Sequence, residues 1–461
     1  MSQQQKSESN AGKTKRVIIV GAGLVGSLWA VYLSKAGYQV KVYERRPDMR
    51  KARISAGKSI NLAVSYRGWK ALDEMGIGDD IREIAIPMFG RNLHHPDGSQ
   101  NYQPYGNHGQ AIYSVSRGEI NKKLMDIASS NQDVRILFDE ECVAVRPEDG
   151  YCQFKNTISG ALTEDRADLV FAADGAFSAC RYHGLQKKDR FDYSQKYLPD
   201  GYKEILLPRS EAVDQKMAKN TLHIWPRGRF MLIALPNLDG SYTCTLFMPF
   251  EDEKYGFNQL TDKAKIIEFF EEVFPDFYQL MPSVADDWDK HPLSSLAIIR
   301  CFPWTDGKLA LLGDAAHATV PFFGQGMNCG FEDCTILWQL MQSHGQDWST
   351  IFEQYQLLRK PDGDAVVDLS LQNYIVMRDK VMDPHFQLVQ KLERRINYLY
   401  PESYFPLYSM VSFSQIEYRT ALEKGNEQEE RIRDMIKTYK INPETSESEI
   451  DDIIHQKFKQ N

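Results

Sequence analysis

Three glycine-bearing stretches of this chain combine residue types that can hold an anionic or polar ligand against main-chain atoms. Gly21, Gly23 and Gly26 stand in G-x-G-x-x-G spacing directly after the β-branched run 17–20. Asp174 and Gly175 close a second apolar run, DLVFAADG. Gly313 and Asp314 close a third, LALLGD, ahead of Pro321 and the string Gly324, Gln325, Gly326, Met327. A strand that delivers glycine-rich backbone to a helix start brings free N–H groups and the positive helix end close to a ligand. For the first stretch the acid is present too: Glu44 lies 18 residues beyond Gly26, at the tip of the next alternating run. There it can accept hydrogen bonds from a ribose diol. Strand, helix and acid together specify an adenine dinucleotide. Arg45 and Arg46 follow the acid, but a carboxylate in the ribose position repels a 2′-phosphate, so FAD or NAD suits this site better than NADP. For the third stretch taken alone, an ordinary strand-to-helix turn with Asp314 as its cap explains the residues equally well.

The elements that must position these groups follow from hydrophobic period and turn residues. Residues 17–20 read as a buried parallel strand, 24–36 as a helix closed by Gly37, and 39–43 as the next strand. Residues 68–75 are predicted helical. Residues 87–116 turn aromatic and glycine-rich, in the manner of antiparallel strands, with His94 and His95 in a turn. Residues 117–130 are predicted helical, 134–138 strand, and 141–154 a hairpin. Between residues 200 and 300 alternating strands dominate, interrupted by one amphipathic helix at 263–274. Helices at 331–343, 349–360, 364–379, 384–399 and 418–440 fill most of the remainder. This predicts an α/β nucleotide-binding domain assembled from separated pieces, with a mostly β domain inserted and a helical C-terminal region.

Composition narrows the partners. The 461 residues, 42% hydrophobic and 26% charged, describe a globular chain long enough for a large core. A net charge of −8 speaks against nucleic acid as the main partner. The seven cysteines are scattered with no C-x-x-C, so neither a disulfide framework nor a zinc knuckle is expected, and a reducing cytoplasm fits. Residues 1–15 read as a flexible polar tail, and no membrane anchor is expected. His317 lacks a third metal ligand at a useful spacing and reads as a helix-start histidine packed near the cofactor. Cys329 and Cys334 fall on a helical segment after the third motif, and reading them as a redox pair has little support.

With GAGLVG, Glu44, DLVFAADGAFSACR and LLGDAAHATVPFFGQGMNCGFED in order, the chain resembles the FAD-dependent aromatic hydroxylases built on one dinucleotide domain, shaped like 4-hydroxybenzoate hydroxylase. Through RISAGKSINLAVSYRG, LHIWPRGRFMLIALPNLDGSYTCTLF and YSMVSFSQIEY it resembles the branch that hydroxylates L-kynurenine, over residues 17–425. The resemblance implies a glutathione-reductase-like FAD domain at 16–86, 106–190 and 295–375. It also implies an antiparallel substrate domain at 87–105 and 191–294, and a helical domain at 376–461. It implies that Gly21, Gly23 and Gly26 hold the FAD pyrophosphate and Glu44 the ribose, and that Arg117 reaches the cofactor from its helix start. Asp174 and Gly175 would lie near the pyrophosphate, in a strip shared with NADPH. Gly313 and Asp314 would meet the ribityl chain, and the backbone of Gly324, Gln325, Gly326 and Met327 the isoalloxazine. Arg91, Tyr105, Asn373 and Tyr408 would meet the amino-acid head group. Met231, Ile233 and Leu235, alternating along one strand, would wall the aromatic ring with Phe247, Pro321 and Phe322.

The implied reaction, a step of tryptophan breakdown, uses FAD, NADPH and O₂. O₂ adds to the reduced flavin as a hydroperoxide, and one oxygen reaches the ring carbon beside the aniline nitrogen. No protein acid–base dyad is required, because the cofactor carries the difficult step. The chain ends in IDDIIHQKFKQN where eukaryotic relatives carry a hydrophobic helix, and Phe323 stands where some relatives carry histidine. Two other readings are a related hydroxylase for another anthranilate-like or phenolic substrate, and a noncatalytic binder on the same fold.

Overall fold

The computed structural model describes residues 15–51, 60–106, 109–376 and 383–458. The expected tail lies outside them apart from Lys15, as do residues 53–59 of the RISAGKSINLAVSYRG stretch and the end of the helix expected at 364–379.

Strands Arg16–Val20, Gln39–Tyr43, Val134–Leu137, Leu169–Ala172 and Leu309–Leu311 form a parallel sheet, edged by the antiparallel pair Thr305–Asp306. The runs VIIV, LVFA and LAL are buried throughout, as central strands covered on both faces must be. In spatial order, Leu309–Leu311, Leu169–Ala172 and Arg16–Val20 are neighbours. The three glycine-bearing strand ends therefore stand side by side on the carboxyl edge of one sheet, where open parallel sheets bind ligands. Helices Leu24–Lys35, Arg117–Ser130 and Gly326–His344 pack together over this sheet.

A second sheet orders seven strands: Leu293–Phe302, Asp192–Leu207, Tyr242–Pro249, Phe230–Pro236, Leu222–Arg227, Gly90–His94 and Gln100–Pro104. Its alternation sorts the two faces. Leu232 and Ala234 enter a core with Phe269, Phe270, Phe274, Phe277 and Trp288, while Met231, Ile233 and Leu235 point the other way. Strand Leu293–Phe302 belongs wholly to this sheet and so crosses the expected boundary at 294/295. The short strands Asn61–Val64, Ile86–Met88 and Ile112–Ser116 form a third sheet. The hairpin expected at 141–154 gains a third strand, Leu162–Arg166.

Helices Pro384–Leu399, Leu407–Phe413, Tyr418–Tyr439 and Glu447–Phe458 complete the chain. Residues 384–458 have their own apolar core of Leu392, Ile396, Ile432, Ile450 and Ile454. The separate helices expected at 349–360 and 364–379 are a single helix, Trp348–Ile375, that runs through Pro361. Proline removes one helical hydrogen bond, a local penalty that tertiary contacts override here. Arg359 and Asp362 are locked in buried ion pairs on either side. Gly363 packs so closely on Trp304 that an added Cβ would lie 2.9 Å from its ring.

Candidate functional site

The first turn is built for close approach. Gly21 has φ +100° and donates its N–H to Tyr43 O at 2.7 Å; a Cβ there would lie 2.4 Å from Ala173 O. At Gly26 a Cβ would lie 2.0 Å from Gly21 O, so this glycine lets the helix rest on the turn. Gly23 faces open space. It is the N-cap of helix Leu24–Lys35, with no side-chain cap and no acid in the first turn, so the leading N–H groups remain for an anion. Glu44 is buried at the tip of the next strand, accepting from the N–H of Ala22 at 2.9 Å and from Arg46. Burial pushes its carboxyl upward, but Arg46 and the Ala22 N–H outweigh burial and hold it below the ordinary value. A carboxylate fixed beside uncapped helix N–H groups and an open glycine suits a ribose joined to a pyrophosphate.

The second strand end adjoins the first: the same missing Cβ of Gly21 would lie 2.9 Å from Asp174 Cα. Burial pushes the Asp174 carboxyl above its ordinary range, against the Cys180 N–H that Oδ2 accepts. Its Oδ1 is buried without a partner, an acceptor suited to a cofactor or substrate hydroxyl. Gly175, at φ +84°, faces open space. Arg117 is exposed at the first position of its helix, and its N–H bonds Ile60 O.

At the third strand end the cap is Gly313, not Asp314, and no side-chain cap bond forms; Asp314 is exposed. Gly313 approaches helix Leu24–Lys35 so closely that a Cβ would lie 2.9 Å from Val25 Cγ2. Its N–H donates to Asp333 Oδ2 at 2.9 Å. Gly324, at φ +66°, faces Ala63 of the third sheet, and Gln325 and Met327 are buried behind it.

Asp333 anchors a buried network that spacing did not reveal. His317 Nε2 lies 2.7 Å from Asp333 Oδ2 and its Nδ1 3.8 Å from Cys329 Sγ. The third ligand-type group that no useful spacing offers is therefore present, because the turn at 318–326 folds Cys329 and Asp333 back onto His317. A cation already occupies the cluster: Arg359 donates to Asp333 Oδ1 at 2.8 Å and lies 3.1 Å from Cys329 Sγ. Glu332 pairs with both Arg359 and Arg67. Burial favours neutral His317, but neighbouring Cys329 and Asp333 outweigh it and raise its pKa well above the ordinary value. Cys334 packs against Val25 O and Gly330 O, apart from the partners of Cys329.

On the substrate side, Met231 lies directly across from Phe247 in the sheet, and Phe247 meets Phe322 with ring centroids 4.8 Å apart. Ile233 joins this cluster to a second one formed by Leu235, Tyr105 and Tyr408. Tyr105 and Tyr408 stack at 5.1 Å, and Phe323 stacks on Tyr408 at 5.7 Å, where a histidine would have offered a ring nitrogen. Burial raises the pKa of both phenols against the opposing field of Arg91, so both stay protonated donors at neutral pH. Arg91 is half-buried on strand Gly90–His94, its Nε donating to Gln103 Oε1 at 2.9 Å. Asn373 donates to Phe322 O. Pro321 is exposed and joins neither cluster. His94, expected in a turn, is instead buried, 2.8 Å from His223 Nδ1 and stacked on Trp225.

Three glycine-bearing strand ends side by side on the carboxyl edge of one parallel sheet, with an uncapped helix start beside a buried carboxylate, define a dinucleotide-binding domain. The family model for an FAD binding domain matches residues 14–370. Kynurenine 3-monooxygenases from Flavobacterium johnsoniae and Flavobacterium psychrophilum are each 48% identical. The first alignment covers 92% of this chain and 94% of the relative, and the second 95% and 97%. The solved structure of a tetrameric 2-methyl-3-hydroxypyridine-5-carboxylic acid oxygenase shares the fold at TM-score 0.65, with 20% identity over 82% of this chain and 96% of its own. The chain belongs to the kynurenine 3-monooxygenase family of FAD-dependent aromatic monooxygenases.

Proposed function

We propose that this chain hydroxylates L-kynurenine to 3-hydroxy-L-kynurenine with FAD, NADPH and O₂. The feature that supports the reading is an apolar cluster: Met231, Ile233 and Leu235 on one face of a strand, ending at two buried phenols in the field of Arg91. When bound, FAD supplies the redox chemistry, taking reducing equivalents from NADPH and activating O₂.

The side chains do the rest. Gly21, Gly23 and Gly26 admit the pyrophosphate and Glu44 the ribose, while Asp174, Gly175, Gly313, Asp314 and Arg117 serve the remainder of the cofactor. A zwitterionic head group must be paired once it leaves water. Arg91 meets the carboxylate as a planar donor, Tyr105 and Tyr408 add hydroxyl donors, and Asn373 offers both a donor and an acceptor. Met231, Ile233, Leu235, Phe247 and Phe322 exclude water from the ring. Residues 16–86, 106–190 and 295–375 hold FAD, 87–105 and 191–294 wall the substrate, and the helical region 376–461, through its described residues 383–458, closes over both, with strand Leu293–Phe302 counted among the wall. Among the described residues no helix is long and apolar enough to cross a membrane. All seven cysteines are free and buried, in keeping with a cytoplasmic setting.

The test is NADPH oxidation by the purified, flavin-loaded protein. L-Kynurenine should stimulate it strongly and yield 3-hydroxykynurenine. Oxidation indifferent to L-kynurenine, or without the hydroxylated product, would overturn the proposal.

A further inference from the structure

Gln325 lies between the left-handed Gly324 and the first turn of helix Gly326–His344, and it is buried. Two hydroxyls converge on one end of its carboxamide. Tyr418 Oη donates to Oε1 at 2.9 Å, and Ser65 Oγ lies 3.5 Å from the same atom. Nε2 donates to no group among the described residues. A carboxamide has a donor end and an acceptor end of nearly equal size, so its orientation is set by its partners. Here the partners hold the oxygen and turn the –NH₂ group away from them.

Tyr418 is itself held firmly. Fully buried at the start of helix Tyr418–Tyr439, it lies beneath the Arg67 guanidinium, 4.0 Å from the ring centroid. Arg67 pairs with Glu332 and donates to the carbonyls of Val411 and Ile416. The C-terminal segment is thereby fastened to the helix that follows the flavin segment. The hydroxyl that orients Gln325 comes from outside the FAD-binding family match, which ends at residue 370.

We infer that Tyr418 is a positioning residue: it fixes the flip of the Gln325 carboxamide so that Nε2 donates to a carbonyl oxygen of the bound ligands. A ligand carbonyl within reach of Nε2 would give this donor the acceptor that the described residues do not supply. Both the aryl ketone of kynurenine and the ring carbonyls of the isoalloxazine offer that acceptor. The inference rests on the function proposed above.

The experiment uses the full-length flavin-loaded enzyme with Tyr418→Phe, which removes only the hydroxyl, alongside Gln325→Leu and the double variant. Tyr418→Phe should keep its FAD and its unfolding midpoint, yet lose about tenfold in product formed per NADPH oxidised or in kcat. Gln325→Leu should lose as much, and the double variant no more than either. If the acceptor is the substrate ketone, L-kynurenine affinity falls while an analogue with a methylene in place of the ketone is unaffected. If it is the flavin, the visible spectrum of the substrate-free enzyme shifts. Wild-type coupling in Tyr418→Phe, additive losses in the double variant, or an intact Gln325→Leu beside an impaired Tyr418→Phe would each overturn the inference. Should Tyr418→Phe fail to fold, Ser65→Ala with Gln325→Leu carries the same cycle. A wild-type enzyme unresponsive to L-kynurenine refutes the proposed function instead, and the spectral comparison then still decides whether Tyr418 acts through Gln325 on the flavin.

Discussion

The proposed cofactor cradle around Gly21 and the proposed substrate pocket around Arg91 are built on opposite plans. The cradle is main chain: three glycines, an uncapped helix start and one carboxylate, all within residues 21–44. The pocket is side chain, gathered from strands at 91, 231–235 and 247, a turn at 322, and helices at 373 and 408. Main-chain geometry leaves room for only one residue type, whereas a pocket wall tolerates any side chain of suitable shape. A cradle should therefore fail all at once, and a pocket by degrees.

Substitutions can break that contrast. Gly21→Val forces a Cβ into Ala173 O at a φ that only glycine adopts freely. The expected result is protein purified without flavin, its FAD affinity lowered at least about a hundredfold, the equivalent of roughly 3 kcal/mol of strain. Flavin released by heat and read by absorbance checks this, and full occupancy would refute the close-packed turn. Next in size, Asp333→Ala strands Arg359 and His317 in the core and should cost about 3–5 kcal/mol in denaturant unfolding. A loss below about 1 kcal/mol would mean that the network contributes little. Arg91→Ala should then weaken L-kynurenine binding by roughly 2–4 kcal/mol with flavin content intact. Unchanged affinity in a titration would remove Arg91 from the pocket.

The smallest expected effect is a pH slope. The folded state binds the His317 proton more tightly than the unfolded chain. That stabilisation is complete below the unfolded value near 6.5 and is lost as pH rises toward the folded value. The limiting slope is about 1.4 kcal/mol per pH unit. Unfolding free energies compared near pH 6 and pH 8 should converge between wild type and His317→Gln as pH rises. A constant gap would show that folding leaves the proton affinity of His317 unchanged.

The same contrast explains what was legible in the sequence. Gly21, Gly23, Gly26 and Glu44 could be placed because a turn and two strands are local. The alternation of Met231, Ile233 and Leu235 likewise gave a shared face, since strand period alone decides it. Arg67, Glu332 and Ile416 meet across separations of 265 and 349 residues, which no period encodes. Asp333 was visible as a residue type but not as the partner of His317, because the turn between them had no predictable path. The break expected between the helices 349–360 and 364–379 fails for the opposite reason: the local signal of Pro361 is strong, and the packing of Arg359, Asp362 and Gly363 that overrides it is distant.

That proline sits part-way along a rod. Asn373 lies twelve residues beyond Pro361 on the same helix, about 18 Å further along its axis. Arg359, on the near side, is pinned in the core. A bend of roughly 10° at the proline, where helices most readily kink, would swing Asn373 by about 3 Å while Arg359 stayed fixed. The helix is thus a lever with its fulcrum in the buried network and its load at the proposed substrate pocket, able to move Asn373 against Phe322 while Arg359 stays in place.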